Sequence, residues 1–388
     1  MRKLLFVVVA LSGILLACET PETVKPEPTP DVYIFGTEGR EVGTDIVELP
    51  NGDFLIPGGT TGVEDGDYDM LITRIGPDGR EVETWVYGSP GINESLERLI
   101  ATSSGYAGIA AQVSTNGARR TVIVTFDAEL RETNRGFFDV ASFPYSLYEI
   151  TGLESLDNGG FLMSIVNYES IFLFRIAPDL TLESLEQYPL WSYSEGPANL
   201  LTRVSDGFWL VVEADDPDDF NNSIIQVNHL DLDGNSDWSA EAAIPNSFNL
   251  TISDVTPLSD GRIAVLMRPE NNFAAIALLD STANLLEVLP VQVANYTFFL
   301  SELPNGKFAI AGNQYPPGIS SSSLNDNRTI VHGLGADGTL EWTQTFGGPR
   351  KEICEGFYYS SAGSFVLTGT SFSFGLGETD KFVVLYNR

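Results

Sequence analysis

Residues 49–88 read LPNGDFLIPGGTTGVEDGDYDMLITRIGPDGREVETWVYG and set two tight-turn signals among three strand-like runs. Asn51-Gly52 and Asp78-Gly79 are dipeptides that tolerate positive φ in a hairpin, and the runs around them alternate or cluster Phe, Leu, Ile, Val and Trp. LPNGKFAIAG at 303–312 and LGADGTLEWTQTFGG at 334–348 repeat the same grammar. With the turn glycine as register mark, copies fall at Gly52, Gly105, Gly159, Gly207, Gly261, Gly306 and Gly363. A spacing of about 50 residues, built of short β-runs without a helical period, predicts an all-β, seven-bladed β-propeller of four-stranded antiparallel blades.

Within a copy, strand A ends at Pro50, B starts at Phe54, C spans Met70 to Ile75 and D spans Glu81 to Tyr87. The C-to-D turn recurs at Gly79, Gly234 and Gly338, with a degenerate form near Asp179; copies two, three and five are weak. Trp85, Trp238 and Trp342 follow these turns by an even number of residues, so strand alternation puts them on one face, where packing between blades is expected. After Gly363 only FVLTG and KFVVLYNR remain, which supply B and C but no D strand. The run VYIFG, Val32 to Gly36, matches the closing VYG and TFG of the other D strands. It is therefore expected to complete the seventh blade and to remove the open sheet edge.

The NG-turn, GGTT, D-x-D, DG-x-x-x-W and FGG elements resemble the repeats of bacterial propeller lipoproteins found among secreted proteins of Bacteroidota-like bacteria. The DG-x-x-x-W piece is also similar to quinoprotein and outer-membrane assembly propellers. A quinone cofactor is not expected, since the chain has no adjacent cysteine pair.

The N-terminus fits that resemblance. Arg2 and Lys3 precede an apolar run that ends in Leu15-Leu16-Ala17-Cys18. The run is too short to span a bilayer and reads as a signal peptide over 1–17. Its end resembles the lipobox, which implies a lipid on Cys18 and a chain exported and anchored to the bacterial envelope, at the outer membrane. Residues 18–30, ending in ETPETVKPEPTP, mix Pro with charge and form an expected extended tether; 31–388 is the propeller domain. The other cysteine, Cys354, reads as a buried small hydrophobe.

Acidic residues number 53 against 21 basic ones, for a net charge of −32. With no basic run, nucleic acid is excluded as the expected partner, and self-repulsion favours a monomer. Strand parity puts the tight A-to-B and C-to-D turns on one rim and every long loop on the other: 61–69, 213–223, 313–327 and 371–380. Binding is expected on the long-loop rim. Its candidate ligand-binding residues are Asp67, the aromatic side chains of Trp191, Tyr193, Tyr315 and Phe372, and the basic pair Arg350 and Lys351, suited to an anionic group.

Asp65, Asp67 and Asp69 have the one-three-five spacing of a calcium loop, but Met70 stands where an EF-hand needs Gly and Gly76 where it needs Glu. A looser calcium site there, or at Asp215, Asp216, Asp218 and Asp219, is the one cofactor the sequence admits; Asp69 and Asp380, at matching places before strand C, also suit structural capping. His229 and His332 are the only histidines, and neither G-x-S-x-G nor H-E-x-x-H occurs. The expectation is a non-enzymatic, membrane-anchored propeller that binds or scaffolds a protein or glycan. The alternatives are an envelope carbohydrate-active enzyme using paired carboxylates and a subunit of an outer-membrane assembly complex.

Overall fold

A computed structural model describes residues 31–36, 38–61, 67–114, 119–138, 149–167, 170–189, 199–215, 223–245, 250–268, 274–293, 296–314, 327–348, 350–375 and 379–387. Strand β1 (Asp31–Phe35) precedes blade 1, which comprises β2 (Glu41–Gly43) with β3 (Val47–Glu48), β4 (Phe54–Thr60), β5 (Asp69–Ile75) and β6 (Glu81–Tyr87). Blade 2 is β7 (Ile92–Thr102), β8 (Gly105–Ser114), β9 (Arg119–Phe126) and β10 (Glu132–Phe138). Blade 3 is β11 (Glu149–Ser155), β12 (Phe161–Val166), β13 (Ser170–Ile176) and β14 (Leu182–Pro189). Blade 4 is β15 (Leu201–Val204), β16 (Gly207–Asp215), β17 (Ser223–Leu230) and β18 (Ser236–Ile244). Blade 5 is β19 (Thr251–Pro257), β20 (Ile263–Arg268), β21 (Ala274–Leu279) and β22 (Leu285–Val291). Blade 6 is β23 (Tyr296–Leu303), β24 (Lys307–Gln314), β25 (Arg328–Leu334) and β26 (Leu340–Phe346). Blade 7 is β27 (Glu352–Tyr359), β28 (Ser364–Ser371) and β29 (Asp380–Asn387), completed by β1.

The closing strand pairs antiparallel with β29 in the register Val32↔Val384, so the chain's two ends share one sheet, as the missing D strand required. All seven register glycines lie at or beside A-to-B hairpins. Successive A strands adjoin one another around the centre while D strands face outward. Burial follows from this placement. Strands B and C, sandwiched between neighbouring blades, are buried on both faces, as in Phe54–Thr60 and Phe161–Val166; β6 and β18 show mostly exposed residues.

The weak copies differ in turn chemistry, not in geometry. In six C-to-D turns the third residue past the first carbonyl donates its N–H back to it and adopts positive φ: Gly79 (77°), Leu130 (61°), Leu180 (68°), Gly234 (77°), Ala283 (62°) and Gly338 (79°). A Leu at such a position costs about 1–2 kcal/mol of backbone strain. Leu130, Leu180 and Ala283 are all buried, which offsets the strain with apolar area. A neighbouring Asp holds each of these three turns: Asp127 Oδ1 accepts from Arg131 N (2.8 Å), Asp179 Oδ1 from Thr181 N (3.0 Å) and Asp280 Oδ1 from Asn284 N (2.9 Å).

The tryptophans sit at seams between blades. Trp342 on β26 lies 5.4 Å from Phe365 and 6.2 Å from Tyr386 of blade 7. Trp85 packs on a cluster shared by blades 1 and 2, and Trp238 on one that spans blades 3 to 5.

Candidate functional site

A β-bulge inserts one unpaired residue into most inner strands: Glu97 in β7, Thr151 in β11, Ser253 in β19, Phe298 in β23 and Glu355 in β27. A bulge re-aims side chains, and two of the five inserted residues, Glu97 and Glu355, are acidic. Several channel carboxylates serve the ring itself. Asp45 Oδ2 accepts from Leu99 N of blade 2 (3.1 Å), Glu154 Oε1 from Arg203 N of blade 4 (3.2 Å) and Asp254 Oδ2 from Leu300 N of blade 6 (2.7 Å). Each latch ties one blade to the next. Burial raises Glu154 to about 7 and Asp254 to about 6, against these hydrogen bonds and the positive charge of Arg98, which also acts on Asp45 and Glu97.

On the long-loop rim the channel opens into a cavity of about 990 Å³ between blades 7 and 1, reaching Asn93 of blade 2. Its walls carry Arg40, Tyr68, Arg350, Glu355, Thr370 and Phe372. The GGTT motif builds one wall. A Cβ on Gly58 would lie 1.9 Å from the Val42 carbonyl oxygen, and one on Gly59 would lie 2.3 Å from the Tyr68 ring. Glycine at both places lets the inner strand approach and seats the tyrosine in the cavity.

Arg350, Lys351 and Phe372 come together here. Phe372 N donates to the Lys351 carbonyl (2.9 Å) and Arg350 N to Ser373 Oγ (2.8 Å), while Lys351 Nζ stands 5.6 Å over the Phe372 ring. Among the described residues no carboxylate pairs with the Arg350 guanidinium.

Glu355 faces the same space. Burial, followed by the nearby Glu97, pushes it up to about 8, against a hydrogen bond from Thr370 Oγ1 (3.4 Å) and the charge of Lys351. It therefore carries a proton at neutral pH. Glu97 and Glu355 are half-buried by surface area yet ringed by protein, and that enclosure is why burial dominates both shifts. The Tyr68 hydroxyl is held protonated by burial and by Glu355, Glu97 and Glu41. The cavity thus offers guanidinium, phenol and carboxylic acid donors to an acceptor-rich group, with the Lys351 ammonium beside its Phe372 wall.

Other sequence candidates lie elsewhere. Asp67 accepts from Gly91 N and ties its loop to the next blade. Asp69 and Asp380 are buried at the starts of β5 and β29, their carboxylates within 2 Å of where a Cβ on Gly88 or Gly36 would stand. The glycine that closes a D strand makes room for the acid. Asp215 ends β16. Cys18, Asp65, Trp191, Tyr193, Asp216, Asp218, Asp219 and Tyr315 lie outside the described residues. Among the described residues no group of three or more His, Cys, Asp or Glu is placed to hold a metal ion.

The histidines serve separate blades. His229 is buried between Asp206 (3.5 Å) and Asp237 (3.3 Å) and stacks on Trp238 (4.9 Å, 3°). His332 pairs its Nδ1 with Thr343 Oγ1 (2.8 Å), and burial holds its pKa down to about 4. Sequence reasoning missed Arg40, Glu97 and Glu355, and reached Tyr68 only as part of the 61–69 loop. One signal was present: ESLER at 94–98 and EICEG at 352–356 repeat Glu-x-x-Glu in the same inner strand.

No protein-family profile and no curated protein matches this chain. Solved structures similar to it include Raptor from Chaetomium thermophilum, at 12% identity over 92% of this chain and 28% of that one, with a TM-score of 0.52. A mutant of puromycin hydrolase complexed with PGG matches at 13% identity over 86% and 50%, with a TM-score of 0.50. A protein of unknown function from Bacteroides caccae matches at 12% identity over 77% and 96%, with a TM-score of 0.40. At these identities the likeness of the first two, with TM-scores of 0.50 or more, concerns the fold alone.

Proposed function

We propose that the protein is an exported propeller, anchored to the envelope by a lipid on Cys18, that binds an anionic group of a protein or glycan at the channel mouth without turning it over. The observation behind this reading is the cavity of about 990 Å³ lined by Arg40, Arg350 and Glu355, a concentration of donors in a chain of net charge −32. Local positive charge on an acidic protein is the feature an anion selects.

Calorimetry with oligogalacturonate and with an acidic peptide tests it. The double variant Arg350→Ala/Lys351→Ala is expected to weaken binding of at least one probe about tenfold or more. Equal affinity in wild type and variant would discard the reading. Binding should also weaken as the pH rises past about 8, because ionised Glu355 repels the ligand. For the anchor, Cys18→Ala should move the protein from the membrane to the soluble fraction; identical partitioning removes the lipid.

A second reading has one observation in its favour, the placement of Glu97 and Glu355 on equivalent bulges, close enough for Glu97 to help raise the pKa of Glu355. Glycan hydrolysis that Glu355→Gln abolishes would establish the carbohydrate-active enzyme instead.

A further inference from the structure

The seam between blades 2 and 3 lacks the plug found between blades 6 and 7. In blade 6, four residues past the left-handed turn position Gly338, Trp342 covers Phe365 of the next blade at 5.4 Å. In blade 2 the residue four past Leu130 is Asn134, paired with Thr125 just as Trp342 is paired with Gly333. Phe161, which starts β12 as Phe365 follows the start of β28, then borders a cavity of about 590 Å³ on the tight-turn rim. That volume lies in the range of small-ligand sites, roughly 300–1,000 Å³.

The chemistry of the walls is specific. Tyr106 supplies half-buried aromatic surface, Phe161 is buried in the wall, and Thr102, Ser103, Ser104, Thr125, Thr133 and Ser155 supply hydroxyl groups. Each charge on the wall is engaged within the protein. Arg203 Nη2 pairs with Asp157 Oδ1 at 2.6 Å, and Asp127 Oδ1 accepts from the backbone N–H groups of Glu129 (3.0 Å) and Arg131 (2.8 Å). An anion or a cation gains little from such a wall. A ring with one apolar C–H face and many hydroxyls gains on both counts, by resting on an aromatic side chain and exchanging hydrogen bonds with side chains that both donate and accept.

We propose that this seam cavity is a binding site for a neutral saccharide, separate from the anion-binding channel mouth on the opposite rim. At the register position that Trp342 fills in blade 6, blade 2 carries the shorter Asn134, next in sequence to the cavity-lining Thr133.

Saturation-transfer NMR and calorimetry with maltotriose, cellotriose and chitotriose test the proposal. At least one is expected to bind, with Asn134→Trp weakening it about tenfold or more and Arg350→Ala leaving it unchanged. Absence of binding by all three at about 10 mM, or unchanged affinity in a folded Asn134→Trp protein, overturns it. If circular dichroism shows that Asn134→Trp does not fold, Asp157→Asn decides: a tenfold loss supports the site and equal affinity overturns it. Oligogalacturonate binding that Asn134→Trp abolishes overturns the assignment to neutral sugars.

Discussion

The seam between blades 6 and 7 is filled with rings, whereas the seam between blades 7 and 1 surrounds an ammonium group. In the first, Trp342, Phe346, Phe365 and Tyr386 contact one another at centroid distances of 5.4–6.2 Å, over the buried Cys354. In the second, Lys381 on β29 is 1% exposed, and Phe35, over which it stands, packs on the cluster of Ile46, Phe54, Ile56, Val366 and Val383. Lys381 Nζ donates to Thr73 Oγ1 of blade 1 and stands 5.7 Å over the Phe35 ring. Burial brings Lys381 down to about 7, against the pull of Glu81 and Glu41. Both seams are buried, but only one contains a group that must lose its proton or its water to be there. Aromatic packing holds the first seam. The closing seam depends on strand pairing, plus the latch of Glu48 on Ser361 N and Oγ at 2.9 and 2.6 Å.

The largest expected effect comes from removing residues 31–36. The deletion strips the outer strand from β29, together with Tyr33 and Phe35, and should abolish cooperative unfolding, a loss comparable with a domain's whole ~5–15 kcal/mol. An unchanged melting curve would contradict strand pairing as the basis of closure. Trp342→Ala should cost about 3 kcal/mol by urea denaturation, the range for a large aromatic side chain lost from packing. A cost below about 1 kcal/mol would show that the ring-filled seam owes little to its rings.

Lys381→Met should stabilise the protein by about 2 kcal/mol at neutral pH, since replacing a buried charge by a shape-matched apolar group is commonly favourable. The pH dependence sharpens the point. Lys381 has a folded pKa near 7 and an ordinary value of 10.5, so its contribution is present above 10.5 and is lost as the pH falls toward 7. Glu154 and Glu355 have folded values raised from 4.5 to about 7 and 8, so theirs is present below 4.5 and is lost as the pH rises through those values. Stability should therefore pass through a minimum near pH 7–8, and Lys381→Met should flatten only the alkaline side. A variant whose alkaline limb stays as steep as wild type would remove Lys381 from the explanation. The smallest effect is Gly338→Ala, about 1 kcal/mol for an alanine at positive φ. Gly79→Ala should cost more, because its Cβ would lie 2.0 Å from the Tyr33 ring of the closing strand, against 3.0 Å from Leu289 at Gly338. Equal losses would show that the closing strand yields without cost.

Blade number, strand order and ring closure were legible because hairpins depend on local backbone preference and alternation, which repeat along the chain. Turns led by Gly79, Gly234 and Gly338 announce themselves, while Leu130, Leu180 and Ala283 hide the same geometry behind burial. Strand parity alone selected the long-loop rim, where the cavity with Arg350 and Phe372 opens. Arg40, Glu97 and Glu355 escaped notice because they come from three blades, far apart in sequence, and meet only where the ring closes.

The sequence by itself determined a seven-fold β repeat with its last strand borrowed from the start, since each hairpin is decided by a few neighbouring residues. Tertiary structure decided which acids latch blades, how far burial favours the protonated form of Glu355, where Lys381 is buried and where a cavity opens between blades 2 and 3. Those outcomes depend on desolvation and on charges from other blades, which exist only once the ring has formed.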